Sequence, residues 1–140
     1  MTVLLRYLWA APNTLLGLPL LLAALLCGAR CALHCGVIEV HGGILRPLFR
    51  SGLCLGGGIS AMTFGHLVIA RDRFHLEISR AHELVHVRQY ERWGPLFIPA
   101  YLLASLWAQL RGGNYYRDNY FEREARALSE TNAADNHLAA

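Results

Sequence analysis

An uncharged apolar stretch restricts the fold of this chain more than any other feature of its sequence. No charged residue occurs between Arg6 and Arg30, and from Leu8 onward about twenty residues form an apolar run. A helix of that length can cross a hydrocarbon core of about 30 Å. The sequence therefore predicts a transmembrane or signal-anchor helix within residues 1–29.

Two alternatives remain open for this stretch. Arg6 could be the basic region of a cleaved signal peptide, although the apolar run is long and no A-x-A cleavage site follows it. Pro12 would kink a helix, and Asn13 with Thr14 could instead start the membrane helix, leaving residues 1–12 at the interface. Retention as an anchor fits the sequence better.

The composition agrees with one membrane-associated domain. The chain has 140 residues, of which 54% are hydrophobic and only 16% charged, which is lipophilic for a soluble protein. Its formal charge of +3 comes from arginine alone, and the arginines form no run that would grip nucleic acid. We therefore expect the lipid bilayer to be a partner, and nucleic acid not to be one.

The arginines also indicate an orientation. Arg30, Arg46 and Arg50 follow the first apolar stretch, whereas only Arg6 precedes it. Because positively charged loops tend to stay in the cytoplasm, this bias favours a cytoplasmic location for the loop from Arg30 to Trp93.

A second apolar segment extends from Pro95 to Leu110 and carries no charge over sixteen residues. Trp93 and Trp107 lie near its ends, as they do in segments that anchor at a membrane interface. Sixteen residues barely span a bilayer, so this segment is either a membrane-associated helix or a buried core helix.

The middle of the chain predicts short strands and turns. Residues 36–40, followed by two glycines, indicate a small hairpin or an irregular extended region, and Gly56-Gly57-Gly58 indicates a turn. Residues 62–70 are rich in β-branched and aromatic residues and predict one strand, which ends at a helix cap at Arg71-Asp72. In zinc peptidases an edge strand in this position pairs with an extended substrate.

The cysteines leave their role open. Cys27, Cys31 and Cys35 are spaced four residues apart, which would place them in one stripe of a continuous helix, next to His34. A metal cluster is conceivable there, but small buried hydrophobic residues are the more economical interpretation. Cys54 stands alone, and nothing in the spacing requires a disulfide framework.

The sequence His82-Glu83-Leu84-Val85-His86 is an H-E-x-x-H motif within a helical pattern. On a helix, His82 and His86 lie one turn apart on the same face, so both imidazoles can reach one metal ion, with Glu83 close enough to act on water there. The helical pattern extends over residues 73–93 and stops at Gly94-Pro95. Five residues approximate its buried stripe: Phe74, Ile78, Ala81, Val85 and Tyr90.

Two histidines are an incomplete site, because catalytic zinc normally takes three protein ligands. The acidic residues Glu122 and Glu124 lie at the start of a second helical segment. Enough residues separate them from His86 for the chain to form a helical hairpin in between. Either could return to the metal if that segment packs across the first helix.

An H-E-x-x-H helix followed by a separate helix with E-x-x-A resembles the gluzincin metallopeptidases. The chain is similar above all to membrane-embedded ones, the prenyl-protein (CAAX) proteases and the heat-shock protease HtpX of bacterial membranes. The resemblance covers roughly residues 62–128, and the stretch from Arg80 to Ala104 also resembles small uncharacterised bacterial membrane proteins.

The resemblance implies a role for each matching residue. His82, His86 and Glu122 would bind Zn²⁺, Glu83 would be the catalytic general base, and Ala125 would allow close helix contact. The family pattern continues with Asp where this chain has Arg126, and an arginine cannot accept the same hydrogen bonds. Four side chains could donate to an oxyanion, and the sequence does not choose among them: Tyr115, Tyr116, Tyr120 and His66.

The sequence thus predicts a helix-rich α+β fold with a membrane helix at residues 1–29, a minimal zincin-like metal-binding domain at 30–128 and a flexible tail at 129–140. Within the domain we expect short strands, the H-E-x-x-H helix, the apolar helix at 95–110 and a helix bearing Glu122. The expected function is a zinc metallopeptidase of the bacterial inner membrane acting on a peptide or protein. The alternative is a metal-binding protein without catalysis that serves a structural or interaction role.

Overall fold

Five helices and four strands build a mixed α+β fold in a computed structural model that describes residues 2–51 and 59–138, with side chains through residue 131. The predicted turn at residues 56–58 and Cys54 lie outside these residues. In chain order the elements are α1 Val3–Leu26, β1 Arg30–His34, β2 Val37–His41, α2 Leu45–Arg50, β3 Ala61–Phe64, β4 Leu67–Ala70, α3 Arg73–Trp93, α4 Phe97–Leu110 and α5 Tyr120–Leu138.

Helix α1 is continuous through both of its prolines, so the alternative with a separate interfacial segment at residues 1–12 is wrong. Among the described residues it is the one helix long and apolar enough to cross a membrane, judged by length and composition. Only 28% of its most apolar window is buried. The buried positions recur every three or four residues and are Ala10, Asn13, Gly17, Leu21 and Ala24.

The predicted single strand at residues 62–70 is wrong, because it is a hairpin of β3 and β4 that turns at Gly65-His66. Gly65 has a φ of +59°, which favours glycine, and a Cβ there would collide with Thr14 and with the carbonyl oxygen of Ala10. The turn therefore follows from the close approach of α1, which the local sequence pattern does not reveal.

The sheet has the strand order β1-β2-β4-β3, with a parallel pair at its centre and antiparallel hairpins on both sides. The hairpin predicted around residues 36–40 does form, with β1 as its upstream strand. Helix α1 packs on one face of the sheet, where Leu21 and Ala24 share a core with Val40 and Ile69. Helix α3 covers the other face through Leu76 and Val87, which join Val37, Val68 and Ala70.

The helical stripe considered for three cysteines does not exist. Cys27 caps the end of α1, Cys31 lies in β1, and Cys35 lies in the following turn with a φ of +49°. All three are free and exposed, so the interpretation as buried hydrophobic residues is also wrong.

The predicted bounds of α3 are confirmed. The Asp72 carboxylate accepts a hydrogen bond from the His75 amide at 3.0 Å, which caps the first turn, and Gly94 ends the helix with a φ of +54°. The predicted buried stripe is only partly right. Val85 and Tyr90 are buried, but three positions at the start of the helix are exposed: Phe74, Ile78 and Ala81.

A short 3-10 turn, Gly94–Leu96, connects α3 to α4. Half of the residues of α4 are exposed and only Phe97 and Ala108 are buried, so α4 is not the buried core helix of the second alternative. Helix α5 continues to Leu138, through the segment for which the composition predicts a flexible tail. Fully buried Asn119 joins α5 to α4, because its amide nitrogen donates to the Tyr101 carbonyl oxygen at 3.0 Å and its side-chain oxygen accepts from the Phe121 amide at 2.8 Å.

Candidate metal centre

Helices α3 and α5 bring His82, His86 and Glu122 together. The Nε2 atoms of the two histidines lie 3.0 Å apart. Glu122 Oε2 is 3.2 Å from His82 Nε2, and Glu122 Oε1 is 3.3 Å from His86 Nε2. This group of ligand atoms, all within 4.8 Å of one another, could hold a metal ion.

The geometry and chemistry of this group fit zinc. In a tetrahedral site with bonds of about 2.0–2.1 Å, neighbouring ligand atoms are about 3.3 Å apart, close to the distances between the three side chains. Glu122 Oε2 is buried and has no hydrogen-bond partner of acceptable geometry, although His82 lies beside it. A buried carboxylate oxygen without such a bond is costly, and a cation would satisfy it.

Access to the group is from the side of His82. The side chains of His86 and Glu122 are 9% and 4% exposed, whereas that of His82 is 19% exposed. Ile78 lies one turn before His82 on the same helix and is exposed. An incoming molecule would therefore meet His82 and an apolar surface before it meets the carboxylate.

Gln89 fixes the orientation of His86. The Gln89 Nε2 amide donates to the Phe121 carbonyl oxygen at 3.0 Å and to Glu124 Oε2 at 2.8 Å, so its Oε1 atom faces His86 as an acceptor. His86 Nδ1 lies 2.8 Å from that oxygen and donates to it. The lone pair of the neutral ring then lies on Nε2, the atom that faces the other two ligand atoms.

The carboxylate of Glu122 is held by a residue of α4. The Tyr101 hydroxyl donates to Glu122 Oε1 at 2.8 Å. Burial alone would raise the pKa of Glu122, but the adjacent imidazoles of His82 and His86 and the hydrogen bond from Tyr101 lower it well below its usual 4.5. Glu122 is therefore ionised throughout the neutral range, as a metal ligand must be.

The contact between Glu122 and His86 raises the pKa of His86, whereas it lowers the pKa of Glu122. Burial lowers the pKa of His86, but the contact with Glu122, the charges of Glu83 and Glu122 and the hydrogen bond to Gln89 together outweigh burial, so the net pKa lies above its usual 6.5. A metal ion would displace this proton, because only the neutral imidazole is a ligand.

Glu83 is buried and hydrogen-bonded to the sheet. The Thr63 hydroxyl on β3 donates to Glu83 Oε2 at 2.7 Å. Among the described strands β3 is at the edge of the sheet, so this contact directs the Glu83 side chain from α3 towards that edge. One carboxylate oxygen of Glu83 is thereby oriented by a residue that no spacing rule in the sequence indicates.

Other residues considered from the sequence have different partners. Glu124, the rival third ligand, accepts from Gln89 and lies 3.7 Å from Arg92. Arg126 lies 4.0 Å from Glu122 Oε2 and also donates to the Arg117 carbonyl oxygen. Arg126 thus places a positive charge beside the Glu122 carboxylate. The gluzincins that the chain resembles have an aspartate at the position of Arg126.

Among the four oxyanion donors considered, His66 is excluded by its position. Its ring lies against Glu91 and Tyr7, on the side of α3 that faces α1. Tyr116 interacts with Glu122, and burial together with that carboxylate raises the pKa of its hydroxyl. The hydroxyl of Tyr116 therefore stays protonated and able to donate.

Sequence reasoning missed the residues that hold the candidate ligands and Glu83 in place: Thr63, Gln89, Tyr101 and Asn119. Only Gln89 carries a local signal, because it lies three residues after His86 and so shares its helix face. The other three reach the site through contacts between elements distant in the sequence.

Fold and site together define a class: an α+β protein with a two-histidine, one-glutamate group that could hold a metal ion. No model of a known protein family matches the chain, and no curated protein or solved structure matches it significantly. The resemblance to gluzincins therefore depends on the motif residues and their arrangement.

Proposed function

We propose that the protein is a membrane-associated zinc metallopeptidase with a minimal zincin-like core. The observation that carries the proposal is the convergence of His82, His86 and Glu122 around a buried carboxylate oxygen without a hydrogen bond. His82 and His86 supply imidazole nitrogens and Glu122 a carboxylate oxygen, which is a ligand set of known catalytic zinc sites.

The protein side chains suit hydrolysis of an amide bond. Bound zinc would supply Lewis-acid activation of a water molecule and of the scissile carbonyl group. Glu83, oriented by Thr63, would take a proton from the water and return it to the departing amine. The protonated hydroxyl of Tyr116, next to Glu122, would donate to the oxygen on which negative charge develops.

Two surfaces beside the ligands support a peptide as the substrate class. Strand β3 is at the edge of the described sheet and could pair with an extended chain beyond Thr63, whose carbonyl oxygen already accepts from the Tyr90 hydroxyl at 3.0 Å. Ile78 and Phe74, exposed at 61% and 65%, lie one and two turns before His82 and would accommodate apolar side chains. The exposed leucine-rich face of α1 supports membrane association.

One observation favours the second candidate, a metal-binding protein without catalysis. The Arg126 guanidinium lies 4.0 Å from Glu122 Oε2, at the position where the resembling family has an aspartate, and an arginine cannot accept the hydrogen bonds that the aspartate accepts in active members. Such a protein would bind zinc for stability and would cleave nothing.

The test combines metal content with hydrolysis. We expect about one zinc per chain in purified protein by elemental mass spectrometry. Glu83→Gln should keep the zinc and lose at least about 100-fold of the hydrolysis of a quenched peptide library. The matched control is Glu77→Gln, an exposed glutamate of the same helix that pairs with Arg73, and it should retain both properties.

Two other outcomes would decide against the peptidase. Zinc without hydrolysis in the wild type would support the non-catalytic candidate. Absence of zinc in folded protein, even after resupply, would reject both candidates.

A further inference from the structure

Helix α1 has two unlike faces. The buried face carries small or polar residues, and Asn13 donates from its amide nitrogen to the Gly94 carbonyl oxygen at 2.7 Å. The opposite face is made of large apolar residues that are 59–69% exposed, namely Leu4, Leu8, Leu15, Leu16 and Leu22. We call this second set the leucine face.

The buried face of α1 follows the sheet over almost its whole length. Near the start of α1 the Tyr7 hydroxyl donates to the Gly36 carbonyl oxygen, just before β2. Near its end, a Cβ on Gly43, just after β2, would collide with the carbonyl oxygens of Ala24 and Cys27. Strand β2 and helix α1 therefore extend side by side in the same direction.

Helix α3 returns along the same length in the opposite direction. It starts after Ala70, the β4 residue paired with His41 near the end of α1, and it finishes where Glu91 meets Arg6, 3.5 Å apart. Charged residues occur along the whole of α3, and they are Arg73, Glu77, Arg80, Glu83, Arg88, Glu91 and Arg92.

Edge strand β1 lies beside β2 and is exposed at all five positions, including Arg30 and His34. If α1 stood upright in a bilayer, the outer backbone edge of β1, which pairs with no other described strand, and the charges of α3 would lie at the same depth as its leucines. Lipid-exposed sheet edges do not occur within the hydrocarbon region, because their backbone groups find no partners there. A docked α1 is therefore incompatible with a spanning orientation.

We propose that α1 lies in the plane of the membrane, with the leucine face against the acyl chains and the whole domain on one side of the bilayer. This orientation rests on the membrane association in the proposed function, but it is independent of the metal. It replaces the transmembrane helix expected from the sequence with an interfacial one.

The occupant of the leucine face is an anionic lipid surface, and a second feature supports this choice. Helix α4 exposes Leu103, Leu106 and Trp107, and the Arg111 guanidinium lies over the Trp107 ring at 4.7 Å. From Arg92 to Arg117 the sequence contains three arginines and no acidic residue. Apolar side chains flanked only by positive charge complement anionic headgroups.

The first experiment asks whether the two ends of α1 lie on the same side of the membrane. Cys31, Cys35 and Cys54 are replaced by serine in the full chain, which leaves the exposed Cys27 at the end of the helix. A second variant also carries Cys27→Ser together with Thr2→Cys at the opposite end. Both are treated with a membrane-impermeant maleimide in right-side-out and in inverted vesicles.

We expect both cysteines to be labelled in vesicles of the same orientation and both to be protected in the other orientation. Labelling of the two cysteines in vesicles of opposite orientation would show that α1 spans the bilayer and would overturn the proposal. Zinc content measured on the same samples reports separately on the proposed metal centre.

The second experiment tests the occupant with liposomes that contain either anionic or only zwitterionic phospholipid. Leu16→Arg, on the leucine face, should weaken binding to anionic liposomes by about tenfold or more. The matched control is Leu33→Arg on β1, an equally exposed leucine that should bind as the wild type does. Equal binding of the two variants, or a dimer that Leu16→Arg dissociates in the absence of lipid binding, would overturn the proposal.

Discussion

In the part of the chain that the structure describes, two largely buried histidine–carboxylate clusters lie on opposite sides of α3, and they differ in how well the hydrogen-bonding capacity of their atoms is satisfied. In the first, His66 Nε2 lies 3.1 Å from Glu91 Oε1, Arg6 supplies the opposite charge to Glu91, and Tyr7 stacks on the imidazole ring at 4.0 Å. In the second, His82, His86 and Glu122 converge with a carboxylate oxygen left without a hydrogen bond.

This difference shows how a structural cluster can be told from a candidate ligand site. Composition does not distinguish the two clusters, because each pairs histidine with glutamate beside α3. The cluster around His66 is complete without any added group, and it fastens α1 to α3. The cluster around Glu122 concentrates lone pairs that only a proton or a cation can satisfy.

The largest expected effect comes from the same change made in each cluster. Glu122→Gln removes a ligand charge and should weaken zinc binding by at least about 100-fold. Glu91→Gln, the equivalent change in the other cluster, should leave zinc affinity unaltered. Competition titration with a chromophoric chelator measures both, and equal losses would erase the distinction between the two clusters.

The next effect concerns the residue that orients His86. Gln89→Met keeps the side-chain length but removes the acceptor for His86 Nδ1, and we expect zinc affinity to fall by about 10–100-fold. Gln109→Met on the exposed surface of α4 is the control and should change nothing. An unchanged affinity in Gln89→Met would mean that His86 is oriented by packing alone.

The cluster around His66 should respond in stability and not in metal binding. Glu91→Gln removes the charged partner of Arg6 and weakens the bond to His66, so we expect the free energy of unfolding to fall by about 1–3 kcal/mol. Denaturant unfolding of protein treated with chelator measures this change. A loss confined to the zinc-loaded form would contradict a purely structural role.

A third histidine–carboxylate pair, Asp72 with His75, lies near the surface and should give the smallest effect. Asp72→Ala removes the helix cap and should cost about 1 kcal/mol. The hydrogen bonds from His75 lower the pKa of Asp72 from 3.8 to about 2. Because the folded state favours the ionised form, this stabilisation is complete above the unfolded pKa and is lost as the pH falls through about 2.

Asp72→Asn separates the cap from its titration, because asparagine also caps helices but carries no charge. We expect the stability difference between wild type and Asp72→Asn to shrink as the pH falls from about 4 to about 2. A difference that stays constant over this range, measured by thermal unfolding, would show that the charge of Asp72 does not contribute.

The sequence predicts the candidate site better than it predicts the sheet. The bounds of α3 follow from a local cap at Asp72 and a local stop at Gly94, and both are confirmed. His82 and His86 share a face because helical geometry requires it. Glu122 joins them through a helical return that the motif spacing suggests but cannot position.

The remainder depends on contacts between distant parts of the chain. The hairpin turn at Gly65 is set by Thr14, and the orientation of Glu83 is set by Thr63. The exposure of Phe74 and Ile78 was also missed, because helical periodicity marks an apolar face without saying what lies against it. Local patterns carry no information of this kind.

The contact from Asn13 to Gly94 also has a consequence for the order of events during synthesis. The two residues are 81 positions apart, so Asn13 is made long before its acceptor exists. At about 5–20 residues per second, this interval lasts about 4–16 s. For most of it, the sheet and α3 are incomplete, so the buried face of a nascent α1 lacks the partners on which it packs in the folded protein. If α1 associates with the bilayer as proposed, that contact is expected to precede folding of the domain, which would then assemble on a helix already at the membrane.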